Sequence, residues 1–158
     1  MITNPALPAP KLGFFCDLHV ELGTPHELGN GRSGTRRIIP IIGGRVEGPE
    51  LSGRILSLGA DWQTIFPDGL ALLDTRYAFE TDDGALIEIV NYGHRIGPAE
   101  MMRKVAAGEA VAPDSYYMRT QARLETGDPR YAWVNRKLFV GTGARMASSV
   151  TVSLFVVE

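Results

Sequence analysis

Charged side chains that interrupt apolar, strand-like segments are the residues of this sequence that could do chemistry. Arg76 stands in LLDTRYAF, Glu88 stands in ALIEIV, and Asp61 precedes Trp62 in GADWQ. A carboxylate held among apolar and aromatic groups has a raised pKa and suits general acid–base work, and a nearby guanidinium can stabilise an oxyanion. We therefore expect Asp61 or Glu88 to accept a proton, and Arg76 or Arg119 to stabilise the charge that develops on a substrate.

Aromatic and amide side chains recur in similar segments and could hold a small substrate. If YYMRTQARLE is a strand, Tyr117 and Arg119 share one face, and alternate residues of YAWVNR likewise share a face. Together with the charged residues they favour a shared polar cavity inside a barrel, although each such residue could instead point to solvent, as polar residues of antiparallel sheets usually do. For Asp61 and Trp62 the alternative is a turn held by the carboxylate and a barrel end closed by the indole. The candidate substrate-binding residues are Trp62, Tyr77, Asn91, Tyr117, Tyr131, Trp133 and Asn135.

The sequence contains no pattern that calls for a metal or an organic cofactor. The histidines His19, His26 and His94 lack the spacing of a local metal site, and there is no glycine-rich phosphate loop or nucleophile elbow. Cys16 is the only cysteine, which excludes an intramolecular disulfide and a multi-cysteine zinc site. We expect it to be a buried thiol, and we predict a protein without metal or cofactor.

The composition is that of one ordinary globular domain. The chain has 158 residues, of which 44% are hydrophobic and 22% charged, and its formal net charge is −2. Its basic residues are dispersed, whereas nucleic-acid binding needs a basic patch. No stretch approaches the about 20 apolar residues of a membrane span, and the proline-rich start does not resemble a secretory signal. We expect a cytoplasmic protein that binds a small molecule, with no nucleic-acid or membrane partner.

The clearest structural element is a hairpin around TDDG. This sequence predicts a type I turn with glycine at the left-handed position, which is the common three-residue hairpin loop. If Thr81 pairs with Ala85, Arg76 lies opposite Val90, and Arg76 and Glu88 project from the same face of the ribbon. A slip of one residue would move Glu88 to the other face.

The other elements indicate an all-β fold. The segment PAEMMRKVAAG at 98–108 predicts the one short helix. Turn residues recur between about eight to ten short strands, which is typical of a sandwich or barrel. We predict a closed antiparallel β-barrel over 12–158, preceded by a flexible arm at 1–11. Alternation of apolar and polar residues predicts strands at 14–21, 116–125, 131–140 and 150–157.

Three long segments together resemble a known family. They are GGRVEGPELSGRILSLGADWQ, LDTRYAFETDDGALIEIVNYGHR and YYMRTQARLETGDPRYAWVNRKLFVGTGAR, and the resemblance extends from Phe14 to Val157. The family is domain-of-unknown-function family 3237, also called uncharacterised protein family 0311. Its members are compact β-barrels akin to allene oxide cyclase and lipocalin-like barrels. A few fungal relatives are cofactor-independent olefin hydroalkoxylases, which close a ring by adding a hydroxyl across an alkene.

The resemblance implies positions as well as a fold, although it does not say which position is catalytic. The chain departs from the family at Ser57-Leu58, where relatives tend to have Pro-Gly or Gly-Gly before the Ala-Asp-Trp segment. That difference could alter the mouth of a cavity. The positions that match family motif segments are Asp61, Trp62, Arg76, Tyr77, Glu88, Asn91, Arg119, Tyr131, Trp133 and Asn135.

Two functions and one structural alternative remain open from the sequence. The leading hypothesis is a cofactor-independent enzyme that acts on a small, partly aromatic or polyketide-like substrate by addition, elimination or cyclisation. The second is a non-catalytic barrel that binds a small acidic ligand through Arg76 and Arg119. A barrel filled by its own side chains would leave Arg76 and Glu88 in solvent. An exposed barrel face could also support a homodimer.

Overall fold

The computed structural model describes residues 4–158 and contains one antiparallel sheet of ten strands. This confirms the predicted all-β class, and the one α-helix, α1 (Ala99–Ala106), confirms the predicted helix. Short 3-10 helices occur at Pro113–Ser115 and Pro129–Arg136. The strands are β1 (Leu12–Leu22), β2 (His26–Asn30), β3 (Thr35–Glu47), β4 (Ser52–Ile55), β5 (Ala60–Ile65), β6 (Ala71–Thr81), β7 (Leu86–Ile96), β8 (Tyr117–Glu125), β9 (Leu138–Arg145) and β10 (Ser149–Val157).

The sheet closes on itself because β1 pairs with β10 on one side and with β3 on the other. From β1 the ring runs through β10, β9, β8, β7 and β6, and β4 and β5 then both lie between β6 and β3. The result is the predicted closed barrel, with eight strands in the ring and two additional ones, β2 and β5. Closure pairs strands that would otherwise have free edges.

The chain before β1 is described only in part. The predicted arm covers 1–11, and its first three residues lie outside the described range. Residues 4–11 are exposed, and the backbone of Lys11 exchanges hydrogen bonds with that of Glu158. No helix in 4–158 is both long and apolar enough to span a membrane.

The β6–β7 hairpin has the predicted register. Its turn is closed by the Thr81 amide, which donates to the Ala85 carbonyl at 2.8 Å, and Gly84 has a φ of 93°. Arg76 therefore lies opposite Val90, and Arg76 and Glu88 are both exposed on the outer face of the barrel. The turn sequence determines this pairing. A shift of one residue would move the buried side chains of the hairpin to solvent, so the register is also held by the core.

The predicted alternation of β1 is wrong at its start. The pairing with β10 shifts between Phe14 and Cys16, which marks a β-bulge. The bulge lets Phe15 and Cys16 both face the interior, while Phe14 lies on the surface and contacts the Phe155 ring edge-on at 5.8 Å. Cys16 is fully buried, as expected for a structural thiol.

The predicted strand over 131–140 is also wrong in its first half. The chain forms a 3-10 helix there because Pro129 occupies its first turn, and the Asp128 carboxylate caps it by accepting from the Arg130 amide at 3.0 Å. Side chains of a 3-10 helix repeat every third residue rather than every second. The predicted shared face of Tyr131, Trp133 and Asn135 therefore does not exist.

The barrel interior has apolar clusters towards both of its ends and polar side chains between them. At one end, Phe15 packs against Phe139 and Trp133 with ring centroids 5.1 and 5.3 Å apart. At the opposite end, Val105 of α1 packs in a small cluster with Leu73 and other buried side chains and so covers the interior. The polar side chains lie between these two layers.

Candidate functional site

A small cavity whose walls are partly apolar and partly polar lies inside the barrel between the aromatic end and α1. Its volume is about 40 Å³. A space of that size holds one functional group or a few waters, since a water needs at least about 10–15 Å³ and a pocket for a whole drug-sized ligand has about 300–1,000 Å³. Its ionisable lining comprises Asp61, Tyr77, Arg95 and Arg145, and its amide and hydroxyl groups include Gln63, Asn91 and Thr120.

Strand alternation explains why these side chains meet. Asp61 and Gln63 are two residues apart on β5, so both point inward. On β7 the inward residues are the odd-numbered ones, which include Ile89, Asn91 and Arg95. The same apolar residues that anchor the strand in the core therefore set the direction of the polar ones.

The Asp61 carboxylate is held by two hydrogen bonds, one on each oxygen. The backbone amide of Asp74 on β6 donates to Oδ1 at 3.0 Å, and Gln63 Nε2 donates to Oδ2 at 2.7 Å. Gln63 Oε1 in turn accepts from Arg37 Nε at 2.8 Å. Asp61 thus sits at the end of a fixed chain of donors and acceptors.

Burial determines the acidity of Asp61. Removal from water raises the pKa of its carboxyl above the ordinary value, and the hydrogen bonds from Gln63 and Asp74 and the charge of Arg95 reduce that rise. A carboxylate with a raised pKa is a stronger base, which suits it to remove a proton near neutral pH.

The cavity carries an excess of positive charge. Arg95 is only 7% exposed, and within 4–158 no carboxylate lies within ion-pair distance of it. Burial, together with the charges of Arg145 and Arg37, lowers the pKa of Arg95 to about 10. Burial and Arg37 also lower the pKa of Arg145. In the lining of the cavity, the guanidiniums of Arg95 and Arg145 outnumber the carboxylate of Asp61. A bound anion would therefore lower the electrostatic free energy of the site.

Two further polar atoms of the cavity lack a partner. In the described part of the chain, Asn91 Oδ1 and Thr120 Oγ1 are buried without any hydrogen bond. Both residues line the cavity and are less than one-tenth exposed. Buried polar atoms are nearly always paired, so unpaired ones that face a cavity indicate a ligand or water.

The structure brings together three of the residues predicted from the sequence. Asp61, Tyr77 and Asn91 all line this cavity. Tyr77 is 2% exposed, and burial raises the pKa of its phenol, which keeps the hydroxyl protonated. These three form the part of the predicted site that the geometry retains.

Arg76 and Glu88 lie outside the cavity, so the predicted convergence of these charges inside the barrel is wrong. Both project into a surface groove shared with Arg123 and Asn135. The apolar neighbours of Glu88 in sequence suggested burial, but residues adjacent on a strand point to opposite faces. Ile87 and Ile89 face the core, which obliges Glu88 to face solvent.

Arg119 and Tyr117 also lie on the outer face. The Arg119 guanidinium sits over the Tyr117 ring at 5.2 Å, a cation–π contact that confirms their shared strand face. They line an outer groove of about 590 Å³ with Tyr92 and Phe155. The inward residues of β8 are the even-numbered ones, which include Thr120. Arg119 therefore cannot reach the interior cavity with Asp61.

The remaining candidates have structural contacts elsewhere. Trp62 points away from the cavity because it lies between the inward residues of β5, and Trp133 packs in the aromatic end. The Tyr131 hydroxyl donates to Asp83 Oδ2 at 2.8 Å. The Asn135 side chain forms two hydrogen bonds of 2.9 Å with the Thr126 backbone. None of these side chains lines the cavity.

Sequence reasoning missed most of the charged lining. Gln63 was detectable, since it lies two residues after Asp61 on the same strand. Arg95 was detectable from its parity with Ile89 and Asn91. Arg37 and Arg145 carry no comparable local signal, because their position depends on where β3 and β9 enter the ring. Within 4–158, no three His, Cys, Asp or Glu side chains are grouped in a way that could hold a metal ion.

A family profile decides the relationship of this chain to known proteins. The profile described as "Protein of unknown function (DUF3237)" matches residues 10–157. The chain belongs to the DUF3237 family. This confirms the resemblance seen in the sequence.

The DUF3237 barrel has relatives of similar length in bacteria. It is 44% identical over 147 residues to a UPF0311 protein of Rhodopseudomonas palustris, covering 93% of this chain and 96% of that protein. A crystal structure of a conserved protein of unknown function from that organism covers 96% of this chain and 100% of its own, with 43% identity and a TM-score of 0.91. A β-barrel-like protein of Acinetobacter baumannii is 42% identical with a TM-score of 0.85, covering 98% and 99% of the two chains.

One fungal structure shares the DUF3237 fold at much lower identity. It is described as an enzyme from Penicillium herquei, and it is 18% identical with a TM-score of 0.74, covering 99% of this chain and 100% of its own. At that identity the likeness concerns the fold alone.

Proposed function

We propose that this protein is a cofactor-independent enzyme in which Asp61 accepts a proton and Arg95 and Arg145 stabilise negative charge. The reaction would be addition or cyclisation of a small organic substrate, such as a hydroxyl group adding across an alkene conjugated to a carbonyl. The observation that carries this proposal is the Asp61 carboxylate, which is oriented by two hydrogen bonds, is largely removed from water and lines the same cavity as the guanidiniums of Arg95 and Arg145.

The proposed reaction needs no external electron acceptor or donor. Asp61 removes the proton from the substrate hydroxyl, and the oxygen forms a bond to the β-carbon of the enone. The π-electron pair moves to the carbonyl oxygen, which becomes an enolate. The proton carried by Asp61, or one from water, then adds to the α-carbon, and the product is an isomer of the substrate.

Arg95 and Arg145 would act on the enolate. Their charges are fixed before the substrate arrives and lie in a site of low dielectric, so they stabilise developing charge without reorganisation. The unpaired atoms Asn91 Oδ1 and Thr120 Oγ1 would orient the substrate by accepting hydrogen bonds from its hydroxyl groups. Positioning of this kind can contribute up to about 7–11 kcal/mol of barrier lowering.

The family adds support of a weaker kind. The resemblance to fungal olefin hydroalkoxylases suggests the reaction class, and the fungal structure of the same fold is described as an enzyme. Neither identifies the substrate, so the proposal depends on the chemistry of the cavity.

The test is solvent-deuterium incorporation. A panel of hydroxy-enones is incubated with the protein in D2O. Products are separated by chromatography, and their masses are measured by mass spectrometry. An Asp61-dependent cyclisation gives an isomeric product that carries one deuterium on the α-carbon. Chromatography is essential because substrate and product have the same mass in H2O.

Two variants make the test specific. Asp61→Asn keeps the shape of the side chain but removes the base, and we expect turnover to fall by a factor of about 10²–10⁴. Asp114→Asn, on an exposed 3-10 helix, is the matched control and should leave turnover unchanged. Equal turnover in wild type and Asp61→Asn would discard the mechanism. A ligand that binds and is recovered unaltered, across the whole panel, would favour the non-catalytic binding barrel instead.

A further inference from the structure

Arg95 lines two neighbouring spaces. One is the interior cavity of about 40 Å³, and the other is a groove of about 340 Å³ beneath α1. The groove is bounded by Ile65, Ala71 and Met102, with Arg37 also at its wall. A single buried guanidinium therefore lines both the small chamber and the larger groove.

We propose that the ligand of this site is an amphipathic organic anion, with its carboxylate or enolate head between Arg95 and Arg145 and its apolar body in the groove beneath α1. This inference names the substrate class of the site, and for its catalytic meaning it rests on the proposed function. It commits to an anion, whereas the proposed function requires only a proton acceptor and a stabilised oxyanion.

The charges around the cavity support an anionic head group. Arg95 is buried without a carboxylate partner in 4–158, and Asp61 is the only acidic residue that lines the cavity. Arg37 has a distant partner, Glu27, at 4.0 Å, and Arg145 Nε donates only to the backbone carbonyl of Met146 at 2.9 Å. An anion that bridges Arg95 and Arg145 would supply the missing counter-charge with charge-assisted hydrogen bonds.

The volumes of the two spaces support an apolar body that lies in the groove. The chamber accommodates a head group but not a substrate skeleton, and the adjoining groove has the volume of a small-ligand pocket. Much of the groove lining is apolar, including Ile65, Ala71 and Met102, so an apolar body gains free energy there by leaving water. The charged residues Asp68 and Arg103 also line the groove.

Three probes separate these contributions. Hexanoate supplies head and body, acetate supplies the head alone, and hexanamide supplies the body with a neutral head. Affinity is measured by calorimetry at low ionic strength and by the shift in melting temperature. We expect hexanoate to bind at least about tenfold more tightly than either acetate or hexanamide.

Variants locate the binding. Arg95→Met and Arg145→Met should each weaken hexanoate by about tenfold or more, because each removes a charge-assisted contact. Arg123→Met, on the outer face of β8, is the matched control and should bind like wild type. Met102→Gln should weaken hexanoate but leave acetate unchanged, since Met102 lines only the groove. If Arg95→Met does not fold, Arg145→Met and Met102→Gln still decide the matter.

Contrary outcomes are distinct from one another. Equal binding of hexanoate and hexanamide would overturn the anion head, and equal binding of hexanoate and acetate would overturn the groove. Inorganic phosphate or sulfate that binds as tightly as hexanoate would overturn the organic ligand in favour of an inorganic anion. Deuterium incorporation that depends on Asp61, in a protein that does not bind hexanoate, would leave the proposed function standing and sink this inference alone.

Discussion

Gln63 and Asp61 project from the same face of β5, and the Gln63 amide nitrogen donates a 2.7 Å hydrogen bond to the Asp61 carboxylate. The orientation of that amide is unambiguous, because its oxygen accepts from Arg37 Nε on the other side. A flipped amide would place a donor against a donor and an acceptor against an acceptor. Gln63 therefore links the Arg37 guanidinium to Asp61, the proposed base, through one side chain that is hydrogen-bonded at both ends.

Removal of this link should make Asp61 less acidic. Gln63→Leu deletes the hydrogen bond that most lowers the pKa of Asp61, and the Asp74 amide, the charge of Arg95 and the Thr75 hydroxyl remain to stabilise the carboxylate. We expect the pKa of Asp61, followed by carbon-13 NMR of its carboxyl group, to rise above its wild-type value. Gln121→Leu, on the outer face of β8, should leave it unchanged. A pKa that falls in Gln63→Leu would contradict the assigned network.

The pH dependence of stability should have an unusual sign at Asp61. Burial raises the folded-state pKa of this carboxyl above its ordinary value of 3.8, so between the two values the folded protein binds more protons than the unfolded chain. The contribution of Asp61 to folding is therefore most favourable at low pH and is lost as pH rises through the folded pKa. A carboxylate stabilised by an ion pair would show the opposite trend.

The measurement compares wild type with Asp61→Asn by urea unfolding at several pH values. The difference in the free energy of unfolding, wild type minus variant, should decrease from pH 3.8 upward until Asp61 is fully ionised in the folded state. A difference that instead grows with pH would show that ionised Asp61 stabilises the fold.

Gly59 and Gly69 have the same backbone conformation, with a φ of 91° at both, but different surroundings. A Cβ at Gly59 would overlap the backbone carbonyl of Arg76, whereas a Cβ at Gly69 would meet nothing within 4 Å. Gly69→Ala should thus cost only the left-handed strain, about 1–2 kcal/mol. Gly59→Ala should cost more and displace Asp61, which lies two residues later on β5. Equal losses in thermal unfolding would show that the close approach to β6 is unimportant.

Asn135, a residue predicted from the sequence to bind substrate, acts instead as a clip. Its Oδ1 accepts from the Thr126 amide and its Nδ2 donates to the Thr126 carbonyl, both at 2.9 Å. Asn135→Ala should lower the free energy of unfolding by about 1–2 kcal/mol and leave hexanoate affinity unchanged. Asn135→Asp, which keeps the acceptor and loses the donor, should lie between. A change in ligand affinity at constant stability would restore Asn135 to the site.

Cys16 should behave as an inert thiol. It is fully buried, and burial together with the charge of Asp17 raises its pKa to about 12. We expect no reaction with a thiol-specific disulfide reagent in the native state at neutral pH, and complete reaction in urea. Rapid modification of the folded protein would mean that the bulge at the start of β1 opens readily.

How much the sequence predicts depends on whether the determining contact is local. The Thr81–Gly84 turn set the register of the β6–β7 hairpin from four adjacent residues, and the short helix was marked by Pro98 and Gly108 at its ends. The direction of Arg95 follows from strand parity once Ile89 is recognised as a core residue. These features need no knowledge of distant parts of the chain.

The features that could not be predicted depend on distant parts of the chain. Glu88 is not one of them, because the strand parity that turns Ile89 and Arg95 inward also turns Glu88 outward. By contrast, Arg145 lines the cavity and Arg37 reaches Gln63 only because the barrel brings β9 and β3 around the same interior. The bulge near Phe15 depends on β10, which is the last strand of the chain.

The barrel keeps its aromatic packing and its polar chamber in separate layers, and this has a consequence for how the protein can change. Substitutions around Phe15 and Phe139 should act on folding, whereas substitutions around Arg95 and Met102 should act on binding of the proposed ligand. A library of variants with substitutions confined to the layer beneath α1 should therefore show altered ligand preferences with little loss of folding stability. The same architecture would let related barrels diverge in substrate while retaining a common core.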